Sequence, residues 1–142
     1  MIGAFTSYVI GSALAVVIGL FAAVVGFDRE KGFYPTLLMV IAAYYVLFAV
    51  LAPDSIAMAW EVAGFLLFCT AAAIGFRGNP WIIVAGLYGH GLFDATHGLL
   101  FANPGAPGWW PSFCLSFDLT IGTWFGWISI RSGRATSWIT KH

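Results

Sequence analysis

The sequence predicts an all-α integral membrane bundle of about five transmembrane helices. Composition is the first reason. Of the 142 residues, 61% are hydrophobic and 8% charged, and the mean hydropathy is +0.90. A soluble domain carries roughly 25% charged residues, so a chain this poor in charge cannot cover a water-facing surface and takes lipid as its solvent. The second reason is punctuation. Pro, Gly and charge cut the chain into five apolar runs, each close to the about 20 residues that a helix needs to cross the hydrocarbon core. The third is the placement of the six Lys and Arg residues, all of which fall in the first and third connections and the tail, on one side of a five-span bundle.

The runs cover residues 5–27, 35–52, 56–76, 81–102 and 111–130, in a single transmembrane domain. The breaks are DREKG (28–32), PDS (53–55), RGNP (77–80) and NPGAPGWWP (103–111), each with a residue that ends helices or opens turns. The first run lacks the basic n-region and small-residue cleavage site of a signal peptide, so it reads as a retained helix. It places Ser7, Gly11, Ala15 and Gly19 at four-residue intervals. The fifth run places Gly122 and Gly126 likewise. Small-residue stripes let helix backbones approach closely in lipid, within one subunit or as the seam of a homo-oligomer. The second run is the shortest and a three-residue break follows it, so four spans with a re-entrant segment are the alternative.

Arg29 and Lys31 lie in the first connection, Arg77 in the third, and Arg131, Arg134 and Lys141 in the tail 131–142. Cytoplasmic loops hold an excess of Lys and Arg, which orients the chain with its N-terminus out and C-terminus in. Trp109 and Trp110 in the last outer loop suit the headgroup layer. The polar, basic tail is expected along the inner surface. The alternating charges Asp28, Arg29, Glu30 and Lys31 read as a topology-fixing loop, or else as a site for a cytoplasmic partner. A net charge of zero and the lack of a basic run argue against nucleic-acid binding. Cys69 and Cys114 fit neither a disulfide nor a zinc-finger spacing; membrane lipid is the expected partner.

The informative residues are the ionisable ones inside the runs: Glu61, His90, Asp94, His97 and Asp118. Charge in the bilayer core is costly, and such groups face the bundle interior and usually serve function. His90, Asp94 and His97 stand at i, i+4 and i+7, on one helix face. In the orientation above, Glu61, Asp94, His97 and Asp118 share one layer in the outer half of the bilayer, with His90 nearer the midplane. Cys114, one turn before Asp118, and Tyr44 and Tyr45, midway along the second run, are candidates for supporting contacts. Three carboxylates and two imidazoles, without Lys or Arg, suit a divalent metal such as Zn, Fe or Mn. His90 and His97 lie about 10 Å apart along one helix axis, so they cannot both ligate one haem, and neither haem nor nucleotide is expected. Three readings stay open: a metal-binding membrane enzyme, a transporter or channel component relaying protons or a small cation, and an accessory subunit whose polar residues only pack helices. The lack of an internal repeat weighs against transport.

The run W-E at Trp60–Glu61, H-x3-D-x2-H at His90–His97, N-P at Asn103–Pro104 and C-x3-D at Cys114–Asp118 resembles a family of small bacterial membrane proteins known only as a domain of unknown function. The resemblance covers about the last 85 residues. Members often carry a second His directly after the last one, where this chain has Gly98. The resemblance implies a multi-pass protein of the bacterial cytoplasmic membrane and implies no mechanism.

Overall fold

The computed structural model describes residues 3–52 and 54–133, all helix and connection, with no strand among them. The expected tail contacts at 134–142 lie outside the described residues. Five long helices follow one another: α1 (Ala4–Val25), α2 (Phe33–Leu51), α3 (Ser55–Gly78), α4 (Pro80–Leu100) and α5 (Trp110–Arg131). Four of them, α1, α2, α3 and α5, are long and apolar enough to cross a membrane. The fourth in sequence, α4, has the length at 21 residues but not the apolarity. Its ionisable residues His90, Asp94 and His97 are all buried inside the bundle. α2 is one continuous 19-residue helix rather than a re-entrant segment.

The helix ends follow from local chemistry. α1 stops at Gly26, whose φ of 94° lies in the left-handed region that favours glycine. Residues 27–29 then form a 3-10 turn, so the first helix ends two residues earlier than the apolar run. Asp54 caps α3, its carboxylate accepting from the Ile56 and Ala57 backbone N–H groups at 2.9 Å. Asn79 caps α4 in the same way through the Trp81 N–H, and Pro80 takes the first helical position, where no N–H is needed. Pro111 takes the second position of α5, where the N–H would likewise have no partner within the helix.

α4 is the hub: it packs on α5, on α3 and on α2, while α1 lies outside α5. The α1 stripe of Ser7, Gly11, Ala15 and Gly19 is buried, and it is used within the chain. A side chain at Gly11 would collide with the Phe113 carbonyl and the Ser116 hydroxyl, and one at Gly19 would meet the Trp124 ring. Gly122 and Gly126 face α4 more loosely: a Cβ at Gly122 would sit tightly on Leu87, at 3.3 Å, and one at Gly126 would make ordinary contacts with Trp81 and Val84. Hydrophobic burial does not distinguish lipid from protein neighbours, so close packing of this kind supplies the association. Tyr34 of α2 stacks on Phe125 of α5, ring centres 4.1 Å apart, and ties the two sides together at the basic end. There, too, the Lys31 ammonium lies over the Phe76 ring, 5.8 Å from its centre.

Candidate functional site

At the opposite end, α2, α3, α4, α5 and the 101–109 connection enclose a polar layer. Glu61, His90, Asp94, His97 and Asp118 are each at most 4% exposed. The structure brings all five inside one bundle and divides them into two groups.

The deeper group is His90, Asp94 and Asp118. His90 Nδ1 lies 2.6 Å from Asp118 Oδ2 and 3.4 Å from Asp94 Oδ2. Tyr45 of α2 donates its hydroxyl to Asp94 Oδ1 at 2.7 Å. One potential ligand atom from each of the three lies within 4.8 Å of the others, so the group could hold a metal ion. Asp94 Oδ2 and Asp118 Oδ1 are buried and have no hydrogen-bond partner among the described residues. Gly91 lies at this contact: a Cβ there would stand in ordinary van der Waals contact with the Asp118 Cβ and the Leu115 side chain, each at 3.4 Å.

The second group is His97, Glu61 and Asn103. His97 Nε2 and Glu61 Oε1 are 2.7 Å apart. The Asn103 amide donates to the same Glu61 oxygen at 2.8 Å and to the Tyr45 carbonyl at 3.1 Å. Asn103 Oδ1 in turn accepts from the Gly105 N–H. None of the buried side-chain polar atoms in this group is left without a partner. Tyr45 stands between the groups, its ring stacked on the His97 imidazole at 4.4 Å and its hydroxyl on Asp94.

Asp118 therefore pairs with His90 and not with the shallower layer expected from the apolar runs. Counted from the helix ends, Asp118 is eight residues into α5, or about 12 Å, while His97 is three residues from the end of α4, or about 4.5 Å. Tyr44, expected beside the site, points away: it is 41% exposed and packs on Trp110. Cys114 is buried on the Asp118 side of α5 and within electrostatic range of Asp94 and Asp118. Asn103 was legible only as part of the N-P pattern of a loop. A buried role for it follows from Gly105, where a side chain would run into the Phe48 carbonyl, so the loop is pressed onto α2.

Toward the groove between α3 and α4 the two imidazoles are walled by rings. Phe68 packs edge-on against His90 at 4.8 Å, and Phe93 and Phe101 against His97 at 5.3 and 4.8 Å. No protein-family model matches the chain, and neither does any curated protein or solved structure. The site's meaning thus rests on its geometry alone.

Proposed function

We propose that this is a membrane protein that binds a divalent cation through His90, Asp94 and Asp118, and that the bound ion is the seat of its activity. The observation that carries the reading is two buried carboxylate oxygens without a hydrogen bond beside one imidazole: Asp118 Oδ1, and Asp94 Oδ2, which only approaches His90 Nδ1 at 3.4 Å. A buried polar group without a partner costs about 1–3 kcal/mol, and more when charged. The group has two donors in view, His90 Nδ1 and the Tyr45 hydroxyl, for four carboxylate oxygens. A divalent ion satisfies the remaining oxygens and balances two negative charges at once. One imidazole and two carboxylates suit Zn, Fe or Mn, and three protein ligands leave a position for water or substrate.

When bound, such an ion polarises a water or an ester oxygen. The chain's own residues then have defined tasks. Tyr45 fixes the Asp94 carboxylate through its 2.7 Å hydrogen bond, the kind of outer contact that orients a ligand. The Glu61–His97 pair stands next to the triad across the Tyr45 ring and is the nearest acid–base pair that is not in the ligand set. We place the polar layer in the outer half of the bacterial cytoplasmic membrane, because the described basic residues Arg29, Lys31, Arg77 and Arg131 all lie at the other end of the bundle. Proton relay through the same residues is less well supported. The hydrogen bonds run from Tyr45 to Asp94, and the contact between Tyr45 and His97 is a ring stack that carries no proton.

The test is elemental analysis of protein purified without chelator, wild type beside Asp118→Asn. Near-stoichiometric Zn, Fe or Mn in the wild type, lost in a variant that elutes as a folded species, is the expected result. Wild type without metal overturns the proposal and leaves a shared proton between the carboxylates as the account of the orphaned oxygens.

A further inference from the structure

α3 and α4 are joined by the single residue Asn79 and pack tightly beside it: a side chain at Gly75 would collide with Ile83. Toward the polar layer the contact loosens. A Cβ at Gly64 would meet only the Phe93 ring, at 3.9 Å, and one at Gly89 only the Phe68 ring, at 3.8 Å. Between the helices lies a cavity of about 510 Å³, lined by Trp60, Gly64 and Phe68 on one side and by Gly89, Phe93 and Thr96 on the other. Trp60 and Phe68 are eight residues apart, which gives a slot about 12 Å long.

The chemistry of the slot selects its occupant. Its rim residues Leu67, Leu92 and Leu100 are 62–65% exposed on the face that meets lipid, so hydrocarbon is what reaches it. The Thr96 hydroxyl is already used, donating to the Leu92 and Phe93 carbonyls. The inner wall is one ring thick, and behind it stand both imidazoles, His90 against Phe68 and His97 against Phe93 and Phe101. Phe101 closes the polar end by stacking on Trp60 at 6.1 Å, and it lies just past the end of α4, in extended backbone.

We propose that this groove seats one hydrocarbon chain of a membrane lipid and presents that lipid to the polar layer across Phe101, which makes a lipid-borne molecule the substrate class of the site. The second half rests on the metal-site reading; the slot itself does not.

The probe is phosphatidylglycerol with a diazirine in its acyl chain, incorporated with the full chain into phosphatidylethanolamine–phosphatidylglycerol vesicles, with photolabelled residues mapped by mass spectrometry and metal measured in the same samples. Labelling of Leu67, Leu92 and Leu100 is expected to exceed that of Val17, Phe21 and Val24 on the α1 lipid face several-fold. Gly64→Leu with Gly89→Leu fills the slot and is expected to bring groove labelling down to the α1 level while metal content stays unchanged. Phe101→Ala is expected to extend labelling to His97. Uniform labelling of all lipid faces in the wild type, which needs no variant to fold, overturns the slot even if metal is present. Groove labelling that never extends to His97 in Phe101→Ala overturns the presentation of the lipid to the site. Groove labelling in a protein that carries no metal upholds the slot and overturns the metal reading alone.

Discussion

Two polar clusters share helix α4 and differ in how completely they satisfy themselves. In the His97–Glu61–Asn103 group, one carboxylate oxygen receives two donors and the loop amide also caps the Tyr45 carbonyl. That group holds together an outer loop, α2, α3 and α4. In the His90–Asp94–Asp118 group, four carboxylate oxygens share two donors, and two oxygens are left over. The same residue types thus have two arrangements: cross-linked through one shared oxygen, they join helices; converging with oxygens left over, they could hold a ligand. Burial separates the two only slightly, with 0–2% exposure in the triad and 2–9% in the other group. The donor count separates them further.

The sharpest break in this comparison is expected from the ligand set. His90→Ala or Asp118→Ala abolishes metal binding in isothermal titration with Zn or Mn, whereas His97→Ala leaves the stoichiometry at the wild-type value. If both clusters lose the metal equally, the division is wrong. Next in size is the loss of glue. Glu61→Ala leaves His97 and the Asn103 amide without their shared acceptor, and a buried polar group left unsatisfied costs about 1–3 kcal/mol. Thermal unfolding in detergent is expected to fall accordingly, with the metal still bound in the folded fraction.

Smaller and more selective is Tyr45→Phe. It keeps the ring stacked on His97 and removes the hydroxyl from Asp94, so metal affinity is expected to drop about 10–100-fold with little change in melting. Equal loss of stability and affinity would mean that Tyr45 acts as packing rather than as an orienting contact. At the bottom of the scale, Tyr44→Phe is expected to change both readouts within about 0.5 kcal/mol, because its side chain faces outward.

Much of this architecture was legible in the residues. Gly, Pro and charge mark the helix ends because they act through local backbone chemistry, as Asp54 and Asn79 do, whereas the stop at Gly26 lay inside the apolar run 5–27. The spacing of His90, Asp94 and His97 reveals a shared helix face, since 3.6-residue periodicity is local. What a single helix cannot report is its depth and rotation against its neighbours. The pairing of Asp118 with His90 depends on where α5 begins relative to the end of α4. The choice between Tyr44 and Tyr45 depends on the rotation of α2: adjacent residues point about 100° apart, and only Tyr45 turns toward α4. Asn103 was hidden for another reason. A loop side chain has no periodicity, and its buried role comes from the pressing of Gly105 onto α2.

The central claim is that the metal sits in the triad and not between the two histidines. X-ray absorption at the edge of the bound metal, on protein purified without chelator, counts the imidazoles directly. The account predicts an oxygen-rich shell with the multiple-scattering signature of one imidazole, from His90. Two imidazoles would put His97 among the ligands and contradict the division of the layer, and no metal at the edge would contradict the site itself.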